Sequence, residues 1–262
     1  MSKYIFTKKD SKTGGIKDCG YMRYDSISDE SASLYFYGDI CGASWISQWF
    51  EEDKAPQDVV DFLNEITADG STKKLDVYIN SGGGNVFGGI AIYNILSRYK
   101  GEKVAHIDGI AASIAGILPF ACDKVVAKSS AQIMLHKPWG VCEGNADDMK
   151  KYIESLNTCE QSIINIYAEH AINGTTAEKI KSMIDRETWL TCGEAAQYFD
   201  IEIEQGEPIA ACISDSYGLY KNTPESLKSP TPKPDNQENN EEKQNRKRKL
   251  QLMHDCMSMR LF

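Results

Sequence analysis

Between Leu75 and Leu135 the chain alternates short β-type runs with helical ones, and this rhythm limits the fold more than any other feature. Leu75-Asp-Val-Tyr-Ile79 reads as a strand that runs straight into Asn80-Ser-Gly-Gly-Gly84. The helical run Ile90-Ala-Ile-Tyr-Asn-Ile-Leu96 follows, then a second strand, Lys103-Val-Ala-His-Ile107, closed by Asp108-Gly109. Ala112–Leu118 has the composition of a buried helix start, and Asp123–Ala127 and Gln132–Leu135 are two more short strands. Strands separated by helices in this way imply βαβ units and a largely parallel sheet, hence an α/β fold.

The flanking segments extend the same pattern. Ala32-Ser-Leu-Tyr-Phe-Tyr-Gly38 has strand composition, and 55–66 reads as a helix with Pro56 at a first helical position and Val59, Phe62, Leu63 and Ile66 on one face. Met149, Ile153, Leu156, Ile163, Tyr167 and Ala171 recur at helical spacing, so a long helix is expected over 146–171, with shorter ones over 176–184 and 192–199. Residues 1–31 are polar and read as a loose arm with one short strand. From about 221 to 248 the chain is rich in Pro, Asn, Glu, Lys and Ser, too poor in apolar surface to fold alone, and is expected to be a disordered linker. Residues 249–262 are expected to form a short amphipathic helix. One domain therefore spans 32–220, within the size that 262 residues allow.

Charge and cysteine usage exclude several classes. The net charge is −9, which opposes non-specific nucleic-acid binding by the bulk surface. The one basic run, Asn245-Arg-Lys-Arg-Lys249, reads as a solvated helix start. No apolar run approaches the roughly 18–20 residues that span a bilayer, and Met1–Gly15 has no apolar core of a secretory signal. The eight cysteines form no C-x-x-C pair and there are only four histidines, so neither a metal site nor a cofactor is expected. Scattered thiols read as reduced ones in a cytosol-like compartment. No membrane or nucleic-acid partner is expected.

Three motifs carry chemistry. The Gly run after the first strand leaves backbone N–H groups free of Cβ obstruction, able to hold an anionic oxygen. It matches neither the P-loop nor the dinucleotide pattern, and alone it equally suits a flexible turn. In Gly109-Ile-Ala-Ala-Ser113-Ile-Ala-Gly116 a serine stands among small residues between a strand and a helix start, a nucleophile's position where the helix N-terminus favours a developing oxyanion. A small-residue packing seam is the other reading. In Met134-Leu-His136-Lys-Pro138 a histidine closes a strand, placed to reach a neighbouring loop as a base. His106, in mid-strand, reads as structural, while Lys137 and Trp139 suit a groove wall or simple surface packing.

In this order, the Asn-Ser-x-Gly-Gly, Gly-x-Ala-Ala-Ser and Met-Leu-His-x-Pro motifs resemble the Clp serine peptidase family, as does the later Trp189-Leu-Thr-Cys-Gly-Glu194-Ala195. The resemblance covers residues 34–205. It implies a ClpP/crotonase-like fold of repeated ββα units with a projecting helix at 146–171. It implies Ser113 as nucleophile, His136 as general base, and the backbone N–H groups of Gly84 and Ile114 as the oxyanion hole. The family's acid precedes the Trp189-Leu-Thr stretch. Alignment there gives Glu187, whereas ungapped spacing from His136 gives Asp185, and both stay open. Ring assembly, with two stacked heptamers as the family's usual form, follows from the same resemblance.

The polar arm and the tail ending in Arg246-Lys-Arg-Lys-Leu-Gln-Leu-Met resemble the Clp-like head maturation proteases of phages and prophages. They imply an enzyme that cleaves scaffold or coat protein without ATP, in the host cytoplasm or inside an immature capsid. The alternatives are a housekeeping Clp subunit that works with an ATP-driven unfoldase, a crotonase-fold acyl-CoA enzyme, and an inactive ring component.

Overall fold

The computed structural model describes residues 2–9, 16–24, 30–43, 53–204 and 220–224. Two antiparallel strands, β1 (Ser2–Lys9) and β2 (Ile16–Tyr24), stand where the polar composition predicted a loose arm. Backbone pairing satisfies the N–H and C=O groups whatever the side chains are, so polarity alone does not exclude a hairpin.

The body of the molecule is a seven-stranded sheet. β3 (Ser31–Phe36), β4 (Lys74–Ser81), β5 (Lys103–Ala112), β6 (Lys124–Lys128) and β9 (Glu202–Glu204) lie side by side, all parallel. Between them run helices α1 (Pro56–Ile66) and α2 (Val86–Arg98) and a 3-10 helix, Ser113–Ala121. α1 starts at Pro56, where the Asp58 carboxylate accepts the Ala55 N–H at 2.7 Å. It buries Val59, Phe62 and Ile66. The helices cover one face of the sheet in a single core that holds Leu34, Val77, Ile79, Ile92, Leu96, Ile117 and Ile164, all under a tenth exposed. On the opposite face Tyr35, Tyr78 and His106 are register partners and stack at 4.7 and 4.6 Å. Asp76 pairs with His106 at 3.2 Å, the structural role expected of that histidine.

β5 is longer than its sequence suggested, because Asp108-Gly109 does not end it. Its first half pairs with β6 (Val104–Ile107 with Lys124–Ala127), and its second half with β7 (Gln132–Leu135), through Ile110–Ala112 with Gln132–Met134. The strand changes partner at the glycine, and the sheet forks there. β8 (Thr188–Thr191), which the sequence did not reveal, adds antiparallel to β7.

The long helix α3 (Ala146–Glu169) begins where Asn145 Oδ1 accepts the N–H groups of Asp147 and Asp148 at 2.8 and 3.2 Å, and Asp148 returns a bond to the Asn145 N–H. Only its second half is buried, through Cys159, Glu160, Ile163, Ile164 and Tyr167. Near its start Met149 and Ile153 are half exposed, as in a projecting helix. α4 (Ala177–Asp185) packs on it. The helix expected over 192–199 is a single turn, α5 (Cys192–Ala195), capped by Thr191. Of the expected linker, Lys221–Pro224 is described and lies against the domain. Residues 225–262, with the expected terminal helix and the basic run, lie outside the described residues.

Candidate active site

Strand register assembles the site. Ala112 of β5 pairs with Met134 of β7, so Ser113 and His136 emerge from neighbouring strand ends. Leu135 pairs with Thr188 of β8, so Glu187, one residue earlier on the antiparallel strand, falls opposite His136. Ser113 Oγ lies 2.6 Å from His136 Nε2. With the imidazole neutral and its proton on Nδ1, the serine O–H donates to Nε2, the arrangement a general base requires.

Ser113 holds φ at 55°, in the left-handed region that non-glycine residues seldom occupy. It is the hinge between an extended strand and the 3-10 helix. The turn lifts the hydroxyl out of the sheet at a cost of roughly 1–3 kcal/mol. The Gly loop closes on it. A Cβ on Gly83 would stand 2.7 Å from Ser113 Cβ, and one on Gly84 would stand 2.2 Å from the Ile40 carbonyl oxygen. Gly84, at φ 143°, is pinned by a bridge to Ile40 and admits no side chain. Ile114 follows the serine at the helix start, where N–H groups have no intrahelical partner.

His136 is pushed down to about 4 by burial, against which the nearby Glu187 carboxylate acts. It is therefore neutral at physiological pH, with a ring nitrogen free to accept a proton. Its hydrogen bond among the described residues is the one to Ser113.

The two candidate acids are placed differently. Asp185, at the end of α4, binds Lys137 at 2.8 Å and Lys181 at 2.9 Å, both of which also approach Glu160 of α3. These lysines hold its carboxyl below the usual range. Asp185 thus belongs to an ion cluster that ties α3 and α4 together, and Lys137 sides with that cluster. Glu187 faces His136 and, like Ser113, has a left-handed backbone, φ 51°.

Three features of the site went unpredicted. A cleft of about 270 Å³, counting its mouth, opens beside Ser113 and His136 between Val86, Leu135, Pro138, Ile163 and Ile184. Tyr167 lines it, 1% exposed, with a hydroxyl that meets no partner among the described residues. Tyr220 packs edge-on against the His136 ring at 4.7 Å and donates to the Gly82 carbonyl at 2.6 Å. The only sequence signal for it is the short aromatic cluster Tyr217-Gly-Leu-Tyr220 just before the polar tail.

The Clp protease profile matches residues 45–200, more than half of the chain and every residue of the arrangement above except Ile40 and Tyr220. The chain belongs to the Clp protease family. Similar proteins include the ATP-dependent Clp protease proteolytic subunit of Bacteroides fragilis, 32% identical over 130 residues, which cover 48% of this chain and 61% of the relative. The subunits of the same name from Bacteroides thetaiotaomicron (30% over 128 residues, 48% and 57%) and Chlorella vulgaris (29% over 149 residues, 56% and 73%) also match. The chain spans about 60% of the length of the Bacteroides relatives. The α/β architecture, with its parallel sheet and long helix, is consistent with the family's fold. Among the described residues no helix is long and apolar enough to cross a membrane, and no three His, Cys, Asp or Glu side chains group as metal ligands.

Proposed function

We propose that this Clp family member is a serine endopeptidase that hydrolyses peptide bonds through an acyl-enzyme. The observation that carries the reading is the 2.6 Å contact between Ser113 Oγ and His136 Nε2 at a strained strand-to-helix turn. Ser113 Oγ attacks the scissile carbonyl carbon as its proton passes to His136 Nε2, and the backbone N–H groups of Gly84 and Ile114 take the negative oxygen. His136 returns the proton to the leaving amine. Water then repeats the sequence on the ester and releases the carboxylic acid. Glu187 is the acid that orients and charge-balances His136, supported by its place opposite the histidine and by the lysines that occupy Asp185. The family match favours this reading over an acyl-CoA enzyme.

The substrate is a protein chain. We assign the biological role to processing of scaffold or coat protein during phage head maturation, without ATP, by a ring of copies of this chain joined through α3. The polar arm and the tail composition support the role, and the exposed Met149 and Ile153 support the ring. The names of the relatives favour a second reading, a proteolytic subunit that works with an ATP-dependent unfoldase. A fluorophosphonate probe should label wild-type chain and not Ser113→Ala; an unlabelled wild type removes the peptidase reading. Scaffold cleavage by the purified protein with no nucleotide separates the two roles, since the unfoldase-dependent enzyme would leave folded scaffold intact.

A further inference from the structure

The segment Tyr220–Thr223 lies beyond the span of the family profile, yet it makes several polar contacts with the site. Glu187 spends both carboxylate oxygens on it. The Lys221 N–H donates to one at 2.8 Å, and the Asn222 N–H donates to the other in a very short bond. The Asn222 side-chain amide donates to the carbonyls of Arg186 and Glu187 at 3.0 and 3.2 Å, gripping the backbone where it is left-handed. Upstream, the Tyr220 ring is 8% exposed, packed among Ile110, Ala112, Met134 and Trp189, and its edge meets His136. Its hydroxyl binds the carbonyl of Gly82, on the loop that carries the oxyanion-hole amide of Gly84.

Charge-assisted bonds from backbone amides to a carboxylate are among the stronger hydrogen bonds, and two of them fix its orientation. A triad acid does its work by accepting from the far nitrogen of the histidine. Here the acid of the proposed triad faces the histidine, but its oxygens are turned to the chain's own tail segment, and the described hydrogen bonds of His136 include none to Glu187.

We infer that Tyr220–Thr223 is a built-in latch that holds the site at rest by keeping the Glu187 carboxylate from His136 and seating Tyr220 over the imidazole and the Gly82 carbonyl. Release of the latch, by displacement or by cleavage of the tail, frees Glu187 to turn to His136 and opens the glycine edge to a substrate strand. The inference rests on the peptidase reading above.

The test uses full-length chains. Asn222→Pro removes the amide donor to Glu187 and the side-chain grip on residues 186 and 187, while Tyr220→Phe removes only the bond to Gly82 and keeps the ring. Fluorophosphonate labelling of Ser113 should run at least about tenfold faster in Asn222→Pro, the factor expected for one charge-assisted bond, and a few-fold faster in Tyr220→Phe. A synthetic Gly218–Glu225 peptide in excess should slow Asn222→Pro back toward wild type, and a scrambled peptide should not. A merely structural segment would not give that rescue. Equal or slower labelling in both variants, with melting curves showing each one folded, overturns the latch. It leaves the peptidase reading standing provided wild type labels and Ser113→Ala does not. No label on Ser113 in any chain would instead remove the peptidase reading, and the latch with it.

Discussion

Removing the hydroxyl of Tyr167 should stabilise this protein. The ring is 1% exposed, its O–H meets no partner among the described residues, and burial pushes its ionisation far above the usual tyrosine range. A buried hydroxyl without a partner costs about 1–3 kcal/mol of desolvation relative to water. Against this, Tyr167→Phe leaves a void no larger than one probe sphere, about 10–15 Å³, which at about 24 cal/mol per Å³ costs on the order of 0.3 kcal/mol. The ring contacts with Phe120 at 5.7 Å and Phe199 at 5.4 Å are kept. The expected net gain is about 1 kcal/mol. For a domain of this size that raises Tm by about 2–4 °C. Urea titration followed by tryptophan fluorescence reads it as a higher midpoint at unchanged slope. A loss of about 1 kcal/mol, the worth of a made hydrogen bond, would show that the hydroxyl has a partner in the folded protein and would refute the reasoning.

Tyr167 also lines the cleft beside Ser113, so wild type should hydrolyse peptides with glutamine before the cut faster, relative to leucine, than Tyr167→Phe does; an unchanged ratio of kcat/KM would detach Tyr167 from specificity. In the Asn222→Pro background, Glu187→Gln should lower peptide hydrolysis at least about 100-fold, short of the roughly 10⁴ seen for a strictly required triad acid. Asp185→Asn should stay within about twofold of its parent in the same assay, since one screened ion pair is worth no more than that; the reverse order would exchange the two roles. His136 gives a pH dependence with a definite sign. Its folded value of about 4 lies below the 6.5 of an exposed histidine, so the unfolded chain binds the extra proton first, and stability falls as pH drops from about 6.5 toward 4. His136→Gln should remove most of that slope in urea midpoints taken across the window. Finally, Gly84→Ala must fit a methyl 2.2 Å from the Ile40 carbonyl oxygen at φ 143°. It should lose about 2–4 kcal/mol and all labelling of Ser113, and a folded, labelled variant would contradict the packing described here.

The proposed nucleophile and base could be named from the sequence because each sits within one short motif at a strand end, where local composition and chain direction suffice. The order of β4, β5, β6 and β7 was legible for the same reason. What escaped was everything set by distant pairing. β5 was cut short at Asp108-Gly109 because a strand that changes partner looks locally like a strand that stops. β8 has only four half-buried residues and no alternation to give it away. The choice between Glu187 and Asp185 turned on a gap that sequence spacing could not place. The structure places them differently: the antiparallel register of β7 with β8 puts Glu187 opposite His136, and Lys137 and Lys181 pair with Asp185. Tyr220 is the last residue of the expected domain, next to a polar tail and 84 residues after His136, with no motif to tie it to the site.

The register that joins β5, β7 and β8 also sets when this chemistry can begin. Ser113, His136 and Glu187 come from three strand ends, and the last pairing waits for β8, more than fifty residues after β7 along the chain. A one-residue slip in β7 would turn His136 to the opposite face of the sheet, and pairings so far apart in sequence form late in folding. A chain still leaving the ribosome, or one misfolded at this fork, therefore holds a serine hydroxyl no more reactive than any other. On the proposed peptidase reading, hydrolytic competence arrives together with the native sheet.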